Sequence, residues 1–228
     1  MANLLTLVLR SPLRSTIIGA YDLWTLLIER LLNIKTCQSI SGPGAAQNLA
    51  ELRGLFSARA LYNDNIHYEA LDYRTAWRVI RVLALGSEDV LYDIGCGKGR
   101  FLCVAARQRT KKVIGVELFE ELCLDARQNA LALRGRKTPI EVICADAAKV
   151  DYSDGTVFFL WNPFGEMTLR SVIQSIRASM ATAPRSIRIG YANPVHEHVL
   201  DAESWLERYD VLRVRGGPQL RFWRSKPA

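Results

Sequence analysis

Three glycines at alternate positions follow a run of apolar residues within residues 90–102. Gly95, Gly97 and Gly99 allow positive φ angles and a close approach of a ligand to the backbone, because glycine has no Cβ. The residues that follow predict a helix, whose first N–H groups would point into the same gap. The segment therefore predicts a strand, a tight turn and a helix start that together hold a flat or anionic ligand.

The spacing of these glycines narrows the choice of ligand. The dinucleotide fingerprint G-x-G-x-x-G would need its third glycine at position 100, where this chain has Arg100. The chain instead reads D-x-G-x-G-x-G, starting at Asp93, and two more acidic residues, Glu117 and Asp146, follow later strand-like runs. A carboxylate at the carboxyl edge of a sheet can accept hydrogen bonds from both hydroxyls of a ribose. A helix cap is the alternative for Asp146.

A second motif, Asn162-Pro163-Phe164-Gly165, stands at the end of a later strand-like run. A side-chain oxygen and a backbone carbonyl at the end of a strand can accept hydrogen bonds from a bound ligand and so position it. The alternative is a turn that only ends the strand.

With these motifs in this order, the chain resembles the class I, Rossmann-like S-adenosylmethionine-dependent methyltransferases, of the bacterial type with D-I-G-C-G-K-G-R and N-P-F-G. It is loosely similar to lysine methyltransferases that lack the SET fold. The resemblance covers about residue 68 to the C-terminus and implies S-adenosylmethionine as cofactor. The cofactor contacts that it implies are Tyr68, Asp93, Gly95, Cys96, Gly97, Gly99, Glu117, Leu118, Asp146, Ala147 and Asn162.

The same resemblance implies that Asn162, Pro163 and Phe164 orient the methyl acceptor. Enzymes that methylate amino groups carry Asn, Asp or Ser, then Pro-Pro, then Tyr or Phe at this place, and here one proline is missing. We therefore expect a nitrogen acceptor in a protein side chain or a small amine, rather than in a nucleic acid. A lysine acceptor would have to lose a proton, for which Glu166 is the nearest candidate base.

Several charged or metal-binding side chains lie near these motifs. Lys98 and Arg100 would be unfavourable beside a sulfonium cation, so we expect both to point outward. His196 and His198 follow the predicted fifth strand, but an H-x-H pair without a clear third ligand does not predict a metal site. No metal is therefore expected.

Alternating strand and helix patterns predict an α/β fold with a doubly wound, mostly parallel seven-stranded sheet, a C-terminal antiparallel hairpin and an N-terminal helical extension. We divide the chain into an amphipathic helical annex (1–44), a helical cap (45–85) and a methyltransferase domain (86–228). The predicted strands are residues 90–94, 112–117, 140–144, 156–161, 186–191, 209–214 and 220–223.

The annex contains an amphipathic helix within residues 16–34. Charged residues interrupt it too early for a transmembrane span, and the chain start lacks the features of a signal peptide. Three roles stay open for its apolar face: packing on the protein's own core, a homodimer contact, or shallow insertion at a membrane surface. We expect a cytoplasmic protein, with a peripheral membrane contact as one alternative.

The composition is that of one well-buried domain with a small extension, since 49% of the 228 residues are hydrophobic. Five cysteines without a C-x-x-C pair indicate a reducing compartment. The net charge of +7 favours a solvated basic surface over a nucleic-acid groove, because no aromatic residues interleave with the densest basic cluster, 107–112. Two other functions stay open: an NAD(P)-dependent oxidoreductase, and a non-catalytic docking module with the same fold.

Overall fold

A single mixed sheet is the centre of the computed structural model, which describes residues 24–36, 71–214, 217 and 219–227. Its strands are β1 (Val90–Ile94), β2 (Lys112–Glu117), β3 (Ile140–Cys144), β4 (Val157–Trp161), β5 (Arg188–Ala192), β6 (Leu206–Arg213) and β7 (Gln219–Ser225). They stand in the order β3-β2-β1-β4-β5-β7-β6. Strands β1 to β5 are parallel, while β7 is antiparallel to both β5 and β6.

Helices cover both faces of this sheet. They are α1 (residues 24–32), α2 (Tyr73–Leu83), α3 (Arg100–Ala105), α4 (Glu120–Ala132), α5 (Glu166–Thr182) and α6 (Glu197–Asp201). Helices α1 to α4 share one hydrophobic core with the sheet, and α5 and α6 share the other. The predicted doubly wound α/β fold with a terminal antiparallel pair is therefore confirmed.

The central strands are apolar along their whole length because both of their faces are buried. In β4, Phe159 points into the core of α1 to α4, whereas Phe158 and Leu160 point into the core of α5 and α6. Burial on both sides removes the alternation of apolar and polar residues that marks a half-exposed strand.

The predicted strand limits are correct for β1, β2 and β3, and they differ at the other end of the sheet. The hairpin strands β6 and β7 are longer than predicted, with a ladder from Leu206 opposite Ser225 to Arg213 opposite Gln219. Strand β6 lies at the edge of the sheet and carries exposed polar residues such as Asp210. These residues interrupt the apolar run from which a strand is predicted.

Segment 24–36 packs on the protein's own core, which is one of the three roles that the sequence left open. Ile28 and Leu32 of α1 are buried in the same core as α2, α3 and α4. The Arg134 N–H donates to the Leu32 carbonyl at 2.9 Å, and the Asn129 side chain bonds both backbone groups of Lys35. Among the described residues no helix is long and apolar enough to cross a membrane.

The proposed division at residues 44 and 85 stays a prediction. Tyr68, the hinge expected at 41–44 and the helix expected near 49–56 lie outside the described residues.

Candidate active site

The strand, turn and helix start predicted for residues 90–102 are all present. Gly95, Gly97 and Gly99 have φ angles of 77°, 53° and 78°, a region that favours glycine. The N–H groups of Gly95 and Cys96 both donate to the carbonyl of Val116 in β2, at 2.8 and 3.0 Å. These bonds hold the turn against the neighbouring strand. Burial raises the pKa of the Cys96 thiol well above its usual value, so this side chain stays neutral and packs in the core.

Asp93 lies in β1 directly before this turn and carries an unpaired buried oxygen. Its Oδ2 is the one buried side-chain N or O atom without a hydrogen-bond partner in the part of the chain that the structure describes. Burial, with the nearby carboxylate of Glu117 as a second cause, raises the pKa of Asp93 to about 8, while a backbone hydrogen bond from Leu102 acts in the opposite direction. An orphaned carboxylate of this kind favours a cationic partner.

Glu117 ends β2 and braces the glycine turn from the other side. Its Oε2 accepts a hydrogen bond from the Gly97 N–H at 2.9 Å, and its Oε1 accepts from the N–H groups of Leu118 and Phe119 at 2.8 and 3.0 Å. Burial raises the pKa of Glu117, and these three donors oppose the rise. A carboxylate has about four acceptor positions, so capacity remains for a ligand hydroxyl. The contacts of Glu117 and Leu118 with the cofactor stay predictions.

Asp146 follows β3 and caps the short 3-10 helix Ala147–Lys149. Its Oδ1 accepts from the Ala148 N–H at 3.0 Å, so the helix-cap interpretation describes one role of this residue. The Ala145 N–H donates to the Glu117 carbonyl at 2.9 Å, which holds this turn beside the end of β2. The sequence-predicted groups thus meet at the carboxyl ends of β1, β2 and β3, and the adenine contacts of Asp146 and Ala147 stay predictions.

Asn162 stands directly after β4 in a left-handed conformation, with φ of 35°, and is buried. Its Oδ1 accepts a hydrogen bond from the hydroxyl of Tyr191 at 3.0 Å. Burial raises the pKa of Tyr191 to about 12, so the hydroxyl stays protonated and able to donate near neutral pH. Sequence reasoning missed Tyr191. The contact depends on the parallel pairing of β4 with β5, which places Tyr191 opposite Leu160, and no local sequence signal indicates it.

Pro163 packs directly against the glycine turn. A Cβ at Gly95 would lie 2.3 Å from the Pro163 Cβ, a distance that real contacts do not reach. Phe164 is only 3% exposed and belongs to the core beneath α5. The ring is packed inside the protein, and its contact with an acceptor stays a prediction.

The expectation that Arg100 points outward is wrong. Its guanidinium is buried, where Nε donates to Thr36 Oγ1 at 2.7 Å and Nη1 to the Leu71 carbonyl at 3.2 Å. Nη2 lies 3.3 Å from Oε1 of Glu29, and the group stacks on Tyr73 with 4.8 Å to the ring centroid. The side chain turns toward segment 24–36 because a buried acid there compensates its charge.

Lys98 is more exposed, and its ammonium pairs with Asp125 at 3.0 Å. Glu166, the candidate base, begins α5 near the surface and contacts Arg170 at 2.6 Å and His198 at 3.2 Å. Hydrogen bonds from these two partners lower the pKa of Glu166, which makes its carboxylate a weaker base.

The region that carries these groups matches a known family. Residues 91–183, from β1 into the loop after α5, match the family described as "Methyltransferase domain". Asp93, Glu117, the glycine turn and the loop after β4 all lie within this span. The chain therefore carries a methyltransferase domain on a Rossmann-like fold, and S-adenosylmethionine is its cofactor. The oxidoreductase and non-catalytic alternatives are therefore set aside.

A curated relative of this methyltransferase is named "Protein-lysine N-methyltransferase", from Saccharolobus islandicus (strain REY15A). It is 25% identical over 136 residues, which cover 58% of this chain and 84% of the relative.

Solved structures share the fold. The RNA methyltransferase from Salinibacter ruber, in complex with S-adenosyl-L-homocysteine, is 21% identical with a TM-score of 0.53, over 69% of this chain and 94% of that one. The ribosomal protein L11 methylase from Lactobacillus delbrueckii subsp. bulgaricus is 16% identical with a TM-score of 0.54, over 70% and 81%. Their names state an RNA and a protein acceptor, so the shared fold does not select the acceptor of this methyltransferase.

The residues of the site fit S-adenosylmethionine, the cofactor of this methyltransferase. The molecule carries an ammonium and a sulfonium group, and the buried carboxyl of Asp93, with its orphaned Oδ2, becomes a negative partner when it ionises. The glycine turn provides free backbone surface, and Glu117 retains acceptor capacity beside it. Asp93, the turn and Glu117 are the residues that would hold the cofactor.

Proposed function

We propose that this methyltransferase transfers the methyl group to nitrogen, and that the nitrogen is the ε-amine of a lysine in a protein. The observation that carries the proposal is the contact of Pro163 with Gly95. This contact brings the loop that bears Asn162 against the cofactor turn, with no room for a side chain between them. The group proposed to orient the acceptor is therefore held directly beside the turn proposed to bind the cofactor.

The amide of Asn162 is suited to orient an amine. Its Oδ1 already accepts one hydrogen bond from Tyr191, and a carbonyl oxygen has a second lone pair for an acceptor N–H. The hydrogen bond fixes the rotation of the amide, so less conformational entropy is lost when an acceptor binds. Asn162 and Pro163 are assigned the acceptor contacts, and the buried Phe164 supports the loop from below.

Methyl transfer demands little beyond this positioning. S-adenosylmethionine supplies a methyl group on a sulfonium that is already an activated leaving group, so in-line orientation of the acceptor provides most of the acceleration. A lysine must arrive as a neutral amine. Because Glu166 is held in an ion pair with Arg170 and in a contact with His198, we assign the loss of the proton to desolvation of the ammonium in the site.

The acceptor class is also supported by the relative that is named a protein-lysine N-methyltransferase. Its identity to this chain is 25%, so the name supports the choice of acceptor without deciding it.

The test uses tritium-labelled S-adenosylmethionine with three acceptor pools: a cellular protein extract, total RNA and a mixture of polyamines. The labelled products are hydrolysed in acid and separated by chromatography. We expect the label in methylated lysine from the protein pool. Label in nucleosides, or label that alkali releases as from an ester, would overturn the proposal.

A pair of variants separates the role of Asn162 from a general effect on turns. Asn162→Gly removes the orienting amide, whereas Asn193→Gly changes the comparable left-handed asparagine after β5, with φ of 48° and an exposed side chain. We expect transfer to fall about a hundredfold in Asn162→Gly. Asn193→Gly should remain close to the unchanged protein, and equal losses in both would contradict the assigned role.

A further inference from the structure

Helix α1 has a second apolar face that points to solvent. One side of the helix packs on the core through Ile28 and Leu32. The opposite side exposes four large apolar residues, which we call the outer face: Trp24 (40% exposed), Leu26 (55%), Leu27 (48%) and Leu31 (67%). Four such side chains within nine residues form a contiguous patch, whereas scattered single exposed residues are normal.

Several basic residues lie near the outer face. The Arg74 guanidinium lies 5.6 Å from the centroid of the Trp24 ring, at the start of the described helix. At its other end, the Arg134 N–H donates to the Leu32 carbonyl, and Arg30 lies on the exposed side between Leu27 and Leu31. Arg74 thus borders the apolar strip at Trp24, Arg30 stands within its length, and the backbone of the exposed residue Arg134 contacts the other end of the helix.

The positive charge continues into two loops that are joined to each other. The Lys137 N–H donates to the Ala106 carbonyl at 2.8 Å, and Arg107 Nη1 donates to the Arg134 carbonyl at 3.1 Å. We use the name basic rim for Arg30, Arg74, Arg107, Arg134, Arg136 and Lys137. Within the described part of the chain, no member of the rim forms an ion pair with an acid.

We propose that the outer face of α1 docks on the surface of an anionic lipid bilayer. Leucine and tryptophan side chains at the centre of the patch would enter the interface between headgroups and acyl chains, while the basic rim contacts the acidic headgroups. The combination of an apolar strip with cations that have no acidic partner among the described residues is complementary to such a surface. An uncharged apolar partner would leave the rim unused.

The two other occupants fit the charge pattern less well. A symmetric contact between two copies of the chain would place the same basic rim from both copies at one interface, where like charges repel. A nucleic acid would use the rim, but the outer face consists of three leucines and a single aromatic ring, and leucine offers no stacking platform for bases.

The sequence before α1 has the same chemistry. Residues 1–21 contain Arg10 and Arg14, several leucines and isoleucines, and no acidic residue; the first acid of the chain is Asp22. The composition on the N-terminal side of the outer face therefore adds apolar and basic residues of the same kind.

The proposal is tested by sedimentation of the full-length protein with lipid vesicles. One set of vesicles is pure phosphatidylcholine, and the other is an equal mixture of phosphatidylcholine and phosphatidylglycerol. We expect sedimentation with the anionic vesicles alone, weakening as salt rises, because the headgroup attraction is screened. Equal sedimentation with both kinds of vesicle, or with neither, would overturn the proposal.

Two double variants, each with a matched control, locate the contact. Leu27→Gln with Leu31→Gln should abolish sedimentation, while Met167→Gln with Val211→Gln removes exposed apolar residues elsewhere and should not. Glutamine is chosen because it is a good helix former.

Arg74→Gln with Arg134→Gln should lower the vesicle partition coefficient about 25-fold, since each basic residue near an anionic surface contributes about fivefold. Arg213→Gln with Lys226→Gln removes the same charge at the far edge of the sheet and should change it little. Retained binding of S-adenosylhomocysteine shows that each variant is folded. Control pairs that weaken sedimentation equally, a dimer that the leucine variants dissociate, or tight RNA binding that they leave intact would overturn the proposal.

Discussion

Glu29 and Arg100 form a buried ion pair, with 3.3 Å between Oε1 and Nη2 and side chains only 7% and 6% exposed. The two residues are 71 positions apart, so the pair fastens segment 24–36 to the first turn of α3, directly after the glycine turn. Thr36 donates both its N–H and its hydroxyl to the same carboxylate oxygen. Segment 24–36 is therefore a structural part of the cofactor-binding domain.

Replacing Glu29 by glutamine should destabilise the protein. Glu29→Gln leaves the Arg100 guanidinium buried without its acid, and removal of one partner of a buried pair costs about 3 kcal/mol. Equilibrium unfolding in urea measures the loss. The matched control is Glu207→Gln, which breaks the exposed pair with Arg224 and should cost less than about 1 kcal/mol. Equal costs for the two variants would show that the buried pair does not hold segment 24–36 in place.

Replacing Asp93 by asparagine should stabilise the protein in the absence of cofactor. The pKa of Asp93 is raised to about 8, above the value of about 3.9 for an unfolded aspartate. Between these two values the folded state keeps a proton that the unfolded state has released. The contribution of Asp93 to the free energy of unfolding therefore falls as pH rises through this window. Asp93→Asn removes that loss.

Thermal melts of the cofactor-free protein check this sign. We expect Asp93→Asn to melt higher than the unchanged protein by about 4 °C or more near pH 8, and by less near pH 5. Glu88→Gln, an exposed acid in the turn before β1, is the control and should shift neither melt. An Asp93→Asn variant that melts lower at both pH values would show that the Asp93 carboxylate has a compensating partner.

Replacing Gly95 by alanine should lower the free energy of unfolding more than the same replacement at another left-handed glycine. Gly95→Ala must displace Pro163, whereas Gly135→Ala meets only the movable end of Arg107, at 3.2 Å. Both positions have φ above 70°, so both variants carry the left-handed penalty of about 1–2 kcal/mol. We expect Gly95→Ala to cost roughly 2 kcal/mol beyond that in urea unfolding, because overpacking adds to it. The contact of Pro163 with the turn would be refuted by equal costs.

Removing the Tyr191 hydroxyl should slow catalysis without weakening cofactor binding. Tyr191→Phe frees the amide of Asn162 to rotate, and loss of one orienting hydrogen bond corresponds to about a tenfold fall in kcat. The KM for S-adenosylmethionine should stay unchanged, because Tyr191 acts through Asn162. Tyr209→Phe removes a hydroxyl that bonds the Val82 carbonyl away from the site, and it should leave kcat intact. A purely structural role for Tyr191 would instead raise KM and lower the melting temperature together.

The strands of the cofactor half could be predicted from sequence because their ends carry strong local signals. The glycine turn ends β1, and Glu117 ends β2, so apolar runs with clear limits precede both. The spacing of the three glycines after Asp93 identified the kind of ligand site. These signals depend on residues within a few positions of one another.

Features that depend on distant residues could not be predicted. The direction of the Arg100 side chain is set by Glu29, and the local sequence does not indicate a partner so far away along the chain. The hydrogen bond from Tyr191 to Asn162 requires the register of β4 with β5. Phe164 follows a proline turn, where neither the helical nor the strand period indicates which way a ring points.

Calorimetric titration with S-adenosylhomocysteine tests the assignment of the cofactor site most directly. We expect one-to-one binding by the unchanged protein, with an affinity that rises from about pH 6 to pH 8 as Asp93 ionises to pair with the ligand ammonium. Glu88→Gln should bind in the same way, and Asp93→Asn should bind at least about tenfold more weakly, without this dependence on pH. Binding by Asp93→Asn with unchanged affinity and unchanged pH dependence would contradict the account.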